Sequence, residues 1–421
     1  IVAFARLYGT TKRSFIRIGY GFSRSRNGAA NVHAVTCLAT VSGAWRHRGG
    51  GALYSNSQLY PIDYTLIMGL DRRETGVRVL DQSRIGAILT GDKRDLGDGP
   101  PVTALFIQNT NPLVVCPDSL RVREGFMRED LFVCVHEQFL TDTAQMADIV
   151  LPATTFLEHD DIYIGGGHTY LQVARKVIEP LAECRSNHQV IGALARRLGA
   201  SHPGFGMSEW ELIDATLKAS GLPGADEIYD QHWLDCAPSF EDGHFLTGFK
   251  TPDGRFHFKP DWARVGRNPG PMPALPDHMP SIDAGDERHS FRLVAAPARN
   301  YLNTSFTETP TSIKREGRPT AMIHPEDCKD LGIADGDRVR LGNRQGSVVV
   351  HARPFDGLQR GVVVVESIWP NHAFEEGIGI NTLVSADPGP PLGGAVFHDT
   401  AVWLERVSEP ARAKTKESAL S

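Results

Sequence analysis

The sequence predicts an α/β protein: doubly wound parallel sheet units followed by a C-terminal β-barrel. Three observations carry that reading. Apolar runs of buried-strand type alternate with helical segments over residues 1–199, the rhythm of a parallel sheet covered by helices. A Pro- and Gly-rich stretch at 266–288 interrupts the pattern. After residue 290 the period changes to short strands joined by turns carrying Gly, Asp and Pro, which reads as an all-β barrel.

The chain opens at Ile1 on "IVAFARLYGT", which reads as the middle of a helix in a larger protein, so a C-terminal fragment is expected. "SFIRIGYG" is a strand ending in Gly19 and Gly21, followed by an arginine-bearing loop and a helix expected over Val32–Trp45. Gly19, Gly21 and Gly28 do not fit the G-x-G-x-x-G spacing of a dinucleotide fold. "VTALFIQNTNP" is a buried strand stopped by an Asn-Pro turn, with a helix expected at Pro117–Gly125. "LFVCVHE" and "ADIVLPAT" are two more strands, the latter ended by Pro152. Ligands of such sheets sit at the carboxyl ends of the strands. Here those ends are Asn109–Asn111, His136–Glu137 and the Pro152 region, all three read as polar where the pattern predicts a site.

"SNHQVIGALARRLG" (186–199) is an amphipathic helix with Ser or Asn as its N-cap and Gly199 just past its end. A short helix ("SEWELIDATLKAS") and a hairpin ("FKTPDGRFHFKP", turning at Asp253–Gly254) come next. The barrel strands are "SFRLVAA", "TAMIHP", "DRVRLGN", "GSVVVHARP", "GVVVVES" and "TAVWLERV". The expected division is 1–60, the end of one α/β region; 61–288, a second α/β region closed by the linker; 289–408, the barrel; and 409–421, a flexible polar tail.

Composition narrows the function. A chain of 421 residues with net charge −6 is poorly suited to neutralising nucleic-acid phosphates. No apolar run reaches the roughly 18 residues of a membrane helix, so neither nucleic-acid binding nor direct membrane insertion is expected. The six cysteines are scattered without a C-x-x-C pair, which supplies neither a zinc knuckle nor an iron–sulfur run, and no metal site is expected. Buried reduced thiols are the expected state. "HEQFL" lacks the second His of a zinc-protease helix, "GFSRS" lacks the second Gly of a nucleophile elbow, and no phosphate loop is present. Singly, the polar residues have plain readings. Asn111 before Pro112 is as readily a turn residue as a ligand, and His136 and Glu137 could simply cap the next segment. Tyr20 and Arg24 suit an ordinary loop; Arg299 and Asn303 suit a barrel surface.

A resemblance joins them. "DTAQMADIVLPATTFLEHDD", "GHTYLQVARKVIEPLAECRSNHQVIGALARRLG", "RNYLNTSFTET", "MIHPEDCKDLGIADGDRVRLGNRQGSV" and "GINTLVSADPGPPLGGAVFHDTAVWL" resemble the molybdopterin oxidoreductases of the DMSO-reductase family. The likeness spans nearly the whole chain and is weakest over 200–290. It implies a double-psi type of barrel and a molybdenum (or tungsten) centre on two molybdopterin guanine dinucleotides. It further implies two-electron or oxygen-atom transfer on a small-molecule redox substrate, with an electron-transfer subunit as a partner. The resemblance maps cofactor contacts onto Tyr20 and Arg24 of the first loop and onto Asn111, His136 and Glu137 at the strand ends. His159 falls where relatives often carry Lys, and Asn187 where many carry Asp. In the barrel it maps Arg299, Asn300, Asn303, Ser305, Phe374, Asn381 and His398. The family's metal ligand and iron–sulfur cysteines map upstream of Ile1, so the catalytic residue is unknown. An iron–sulfur cluster would need ligands from the full-length protein, and the chain alone is expected to be inactive. The alternative is a cofactor-free structural subunit akin to the large iron–sulfur subunit of NADH dehydrogenases.

Overall fold

In the computed structural model, which describes residues 1–266, 270–279, 283 and 285–407, the chain enters through the helix Val2–Thr10. Ile1 is its N-cap residue and makes no side-chain capping bond. Ile1 carries no substituent that could satisfy the free N–H groups of a first turn. None of the helix's own residues is buried, and Ile1, Val2, Phe4 and Leu7 are exposed.

Phe15–Arg17 (β1) and Gly51–Leu53 (β2) form a parallel pair. The helix between them covers Gly28–Val41, displaced toward the N-terminus from the expected Val32–Trp45. Gly43 explains the early stop: its φ of 70° is left-handed, the conformation that ends helices. Gly28 explains the early start. A Cβ there would sit 2.0 Å from the Phe22 carbonyl oxygen, so only glycine lets the helix begin against the Phe22–Arg24 turn.

Ala104–Gln108 (β3), Phe132–Glu137 (β4) and Ile149–Pro152 (β5) form a parallel sheet in sequence order. The first crossover contains helices Pro112–Val115 and Ser119–Phe126; the second contains Asp142–Gln145, capped by the Thr141 hydroxyl. Leu89, Ile107, Val122, Val133 and Val135 fill the space between sheet and helices. Every strand therefore delivers its last residue to one edge of this unit.

A third sheet departs from the expected pattern. Asp161–Tyr163 (β6), Tyr170–Ala174 (β7) and Leu234–Asp235 (β8) pair antiparallel, and β7 buries Leu171 and Val173 against helices Glu209–Ala219 and Ala225–Gln231. Its signal is the period-two alternation of "YLQVA". The expected hairpin over 249–260 does not form. Its turn exists, with Gly254 N–H donating to the Thr251 carbonyl and Phe249 N–H to the Gly254 carbonyl. The flanks diverge because Phe249, Phe256 and Phe258 pack into an aromatic cluster with His33 and Trp262. The expected helix over 186–199 covers Asn187–Arg197, with Ser186 and Gln189 forming a capping box.

The barrel is closed. Phe291–Pro297 (β9), Thr320–Ile323 (β10), Arg338–Gly342 (β11), Ser347–Pro354 (β12), Val362–Ser367 (β13) and His398–Arg406 (β14) run in the order β10-β12-β11-β14-β9-β13. Two of its pairings, β10–β12 and β9–β13, are parallel. Leu293, Ile323, Val339, Leu341, Val350, Val363 and Val365 are its core. Two short helices, Pro310–Glu316 and Pro325–Asp330, each open on a proline at the first turn. The expected tail, 409–421, lies outside the described residues, as does part of the linker.

A buried seam fixes the barrel on the β3–β5 unit. Asn381 Nδ2 donates to the Val114 carbonyl at 2.8 Å and Asn371 Nδ2 to the Leu113 carbonyl at 3.1 Å. Ser119 and Thr382 hydroxyls meet at 2.7 Å, and Asp118 N–H donates to the Val384 carbonyl at 2.9 Å.

Candidate functional site

The carboxyl ends of β3 and β4 bring Gln108, His136 and Asn187 together. Gln108 Nε2 donates to His136 Nδ1 at 3.0 Å and approaches Asn187 Oδ1 at 3.4 Å. His136 is fully buried, and its Nε2–H faces the Arg185 carbonyl at 3.0 Å. These partners leave both ring nitrogens occupied. His136 therefore orients Gln108 and the Arg185 turn instead of offering a free atom to a ligand. The outward members are Gln108, half-buried, and Asn187, exposed at the first turn of its helix. Sequence reasoning misses Gln108, although a polar residue ending an apolar strand is a recognisable signal.

Glu137, one residue beyond His136, is half-buried and accepts from Gln138 N–H at 2.8 Å. Burial pushes its carboxyl above the usual range, partly offset by that hydrogen bond, and the Glu308 carboxylate adds to the rise. Glu308 belongs to the segment following β9, so that segment lies near the end of β4. That segment carries Arg299, exposed and with no ion pair or side-chain hydrogen bond among the described residues. Asn303 has a left-handed φ of 52°. It sits in a tight turn closed by the reciprocal backbone bonds of Leu302 and Ser305. Asn303 and Ser305 are exposed on its tip. Asn300 is committed elsewhere: its backbone N–H and Nδ2 both donate to Glu316 Oε1, at 2.5 and 2.7 Å.

A second group lies where the first loop meets β14. Arg24 accepts Phe397 N–H through its carbonyl at 3.0 Å, and its guanidinium lies 6.0 Å from the Phe397 ring centre. His398 follows directly, with a buried Nδ1 that has no hydrogen-bond partner. Burial lowers its pKa, and the Arg24 guanidinium lowers it further. The His398 Nδ1 is an orphaned buried polar atom close to a cation, an exception to the rule that buried polar groups are paired. Tyr20 is exposed, bonded to Ser55 Oγ at 3.2 Å and edge-on to Tyr54. His398 pairs with Val294 on β9, five residues before Arg299. The Cα atoms of Val294 and Arg299 are at most about 18 Å apart along the chain.

Three expected contacts take structural roles. Asn111 is buried and accepts from Thr143 Oγ1 at 2.6 Å, holding the two crossovers together. Phe374 is 4% exposed within the barrel core, and Asn381 is the seam residue described above. His159 Nδ1 meets Thr154 Oγ1 at 2.8 Å, with Asp161 at 3.7 Å from Nε2. Of the six cysteines, Cys37 and Cys328 are buried and the other four are half-buried, all unpaired. Burial pushes the Cys116 thiol up to about 11. Among the described residues, no group of three or more His, Cys, Asp or Glu could hold a metal ion, and no helix is long and apolar enough to cross a membrane.

Residues 4–197 match the family described as molybdopterin oxidoreductase, and residues 291–401 match the molybdopterin dinucleotide binding domain. The probable oxidoreductase YoaE of Bacillus subtilis is 34% identical over 97% of this chain and 58% of its own length. The dimethyl sulfoxide/trimethylamine N-oxide reductase of Rhodobacter capsulatus is 27% identical over 91% of this chain and 53% of its own. The chain thus spans little more than half the length of these relatives. Acetylene hydratase from Pelobacter acetylenicus shares the fold, with a TM-score of 0.64 at 19% identity over 78% of this chain and 46% of that one.

Proposed function

Because the chain belongs to the molybdopterin oxidoreductase family of DMSO-reductase type, we propose that it forms part of the cofactor cradle of an oxidoreductase carrying a molybdenum or tungsten bis-molybdopterin guanine dinucleotide centre. The enzyme transfers two electrons, or an oxygen atom, to or from a small-molecule substrate and exchanges electrons with a second subunit.

The observation that carries the reading is a pair of polar groups, one on the segment after β9 and one where β14 begins. Arg299 is an exposed guanidinium on the segment that brings Glu308 to Glu137, and Arg24 is a cation beside the unpartnered His398 Nδ1. These residues fit a large anion with a nucleobase at one end. Arg24 and Arg299 fork onto phosphate oxygens. Glu137 accepts from guanine N1–H and N2–H₂, and Asn187 and Gln108 supply amide contacts to the base or ribose. His398 donates or accepts at Nδ1, according to which oxygen or nitrogen it meets. When bound, the cofactor supplies the redox chemistry, and the protein supplies orientation and electrostatics. The oxidoreductase and reductase names among the relatives favour this reading over a cofactor-free structural subunit.

The test is to produce the chain, and its full-length parent, in a host that makes the dinucleotide cofactor. The purified proteins are then analysed for molybdenum, tungsten, pterin fluorescence and GMP released by acid. Two GMP per metal in the parent, lost on Arg299→Ala, is the expected result. A parent free of pterin and metal would overturn the proposal.

A further inference from the structure

We infer that Arg84, a buried residue outside the cofactor-facing set, is a positioning residue that holds the 386–397 loop, and through it the Arg24–His398 pair, in place. The inference rests on the reading of that pair as ligand-facing. Its test needs no cofactor, so the two can fail separately.

Arg84 is 6% exposed. Its Nε contacts both Asp95 carboxylate oxygens at 2.7 and 2.9 Å, and one terminal nitrogen lies 3.4 Å from Asp92. The other terminal nitrogen donates to the Ala386 carbonyl at 3.1 Å and lies 3.8 Å from the Asp387 carboxylate. A guanidinium held rigidly by two carboxylates presents its remaining donor in a fixed direction. That donor reaches across 302 residues of sequence to the loop leading into β14.

Two further pins act on the same loop. Arg26, 7% exposed, donates to the Asp387 and Pro388 carbonyls at 3.4 and 3.3 Å. Asp81 accepts Gly394 N–H at 3.2 Å while its other oxygen caps the Ser83 turn that leads to Arg84. Downstream the loop delivers Phe397 N–H to the Arg24 carbonyl. His398 therefore meets Arg24 through a loop whose start Arg84 anchors. Buried arginine–carboxylate clusters are weak stabilisers compared with apolar packing. A buried cluster with one donor aimed at a loop carbonyl is better accounted for by fixing that loop's conformation.

Hydrogen exchange and histidine NMR on the full chain test this. In Arg84→Lys, amides of 386–397 should exchange about tenfold faster or more, while β12 and the β3–β4 sheet keep wild-type protection. The His398 titration midpoint should move back up toward the ordinary imidazole range as Arg24 and the enclosing loop loosen. Arg84→Met/Asp95→Leu replaces the buried pair by apolar groups. It should keep the fold and show the same two changes, which covers the case in which Arg84→Lys does not fold. Folded variants with wild-type loop exchange and His398 titration would overturn the inference. So would protection lost uniformly through the barrel, because that is the pattern of a purely structural residue.

Discussion

Asn381, on a 3₁₀ turn before the last barrel strand, donates its side-chain amide to the Val114 carbonyl at 2.8 Å inside the seam between barrel and α/β unit. The two are 267 residues apart in sequence, and the bond ties the barrel to the β3–β5 unit. Asn381→Ala leaves that buried carbonyl without its donor, which costs about 1–3 kcal/mol. Urea denaturation followed by separate barrel and α/β probes should show lower stability and poorer coincidence of the two transitions.

His136 has both ring nitrogens engaged, so its loss should be structural. His136→Phe strands the Arg185 carbonyl and the Gln108 amide and destabilises the chain by about 2–4 kcal/mol. Arg299→Ala should change stability by no more than about 0.5 kcal/mol, because the side chain is exposed and unpaired among the described residues. Thermal denaturation of both variants checks the contrast.

Much of this division is legible in the sequence, and the reason it stops short is physical. Periodicity locates β3, β4, β5 and the barrel strands because buried strands need apolar residues on a period of one or two. Polar strand ends point to His136 and Glu137 for the same reason. Periodicity cannot show which polar residues spend their hydrogen bonds on the protein itself. Asn111, Asn381 and Phe374 match the family pattern, yet in the fold they serve packing and the seam. Gln108, Glu308 and Arg84 act through partners far away in the chain, and such pairings leave no local signal. The β6–β8 sheet escapes a sequence reading because its strands are short and its alternation covers only five residues in β7.

Glu137 and His398 should give stability opposite pH slopes. The Glu137 carboxyl is raised by burial, so the folded state holds its proton more tightly than the unfolded one. Stability is then lost as pH rises from the ordinary carboxylate value through the raised one. Glu137→Gln should be more stable than wild type at neutral pH, with the advantage shrinking as pH falls through that window. His398 is lowered by burial and by Arg24, so its contribution is lost as pH falls below the ordinary imidazole value. His398→Gln should flatten that limb. Chemical denaturation from about pH 4 to about pH 8 separates the two.

The Cys116 thiol, pushed up to about 11 by burial with a smaller rise from Asp81, should be almost wholly protonated at neutral pH. Iodoacetamide labelling read by peptide mass spectrometry should leave Cys116 unmodified in the folded chain and label it fully after denaturation. Rapid labelling in the folded state would show that its surroundings open.

The central claim is that this chain carries a wall of a guanine dinucleotide cradle built from Asn187, Glu137 and Arg299. Titration calorimetry of the purified chain with molybdopterin guanine dinucleotide tests it most directly. Saturable binding is predicted, weakened by about 1.5–3 kcal/mol in Arg299→Ala and also weakened in Asn187→Leu, with both variants remaining folded. No saturable heat with the wild-type chain, or equal affinity in wild type and both variants, would contradict it.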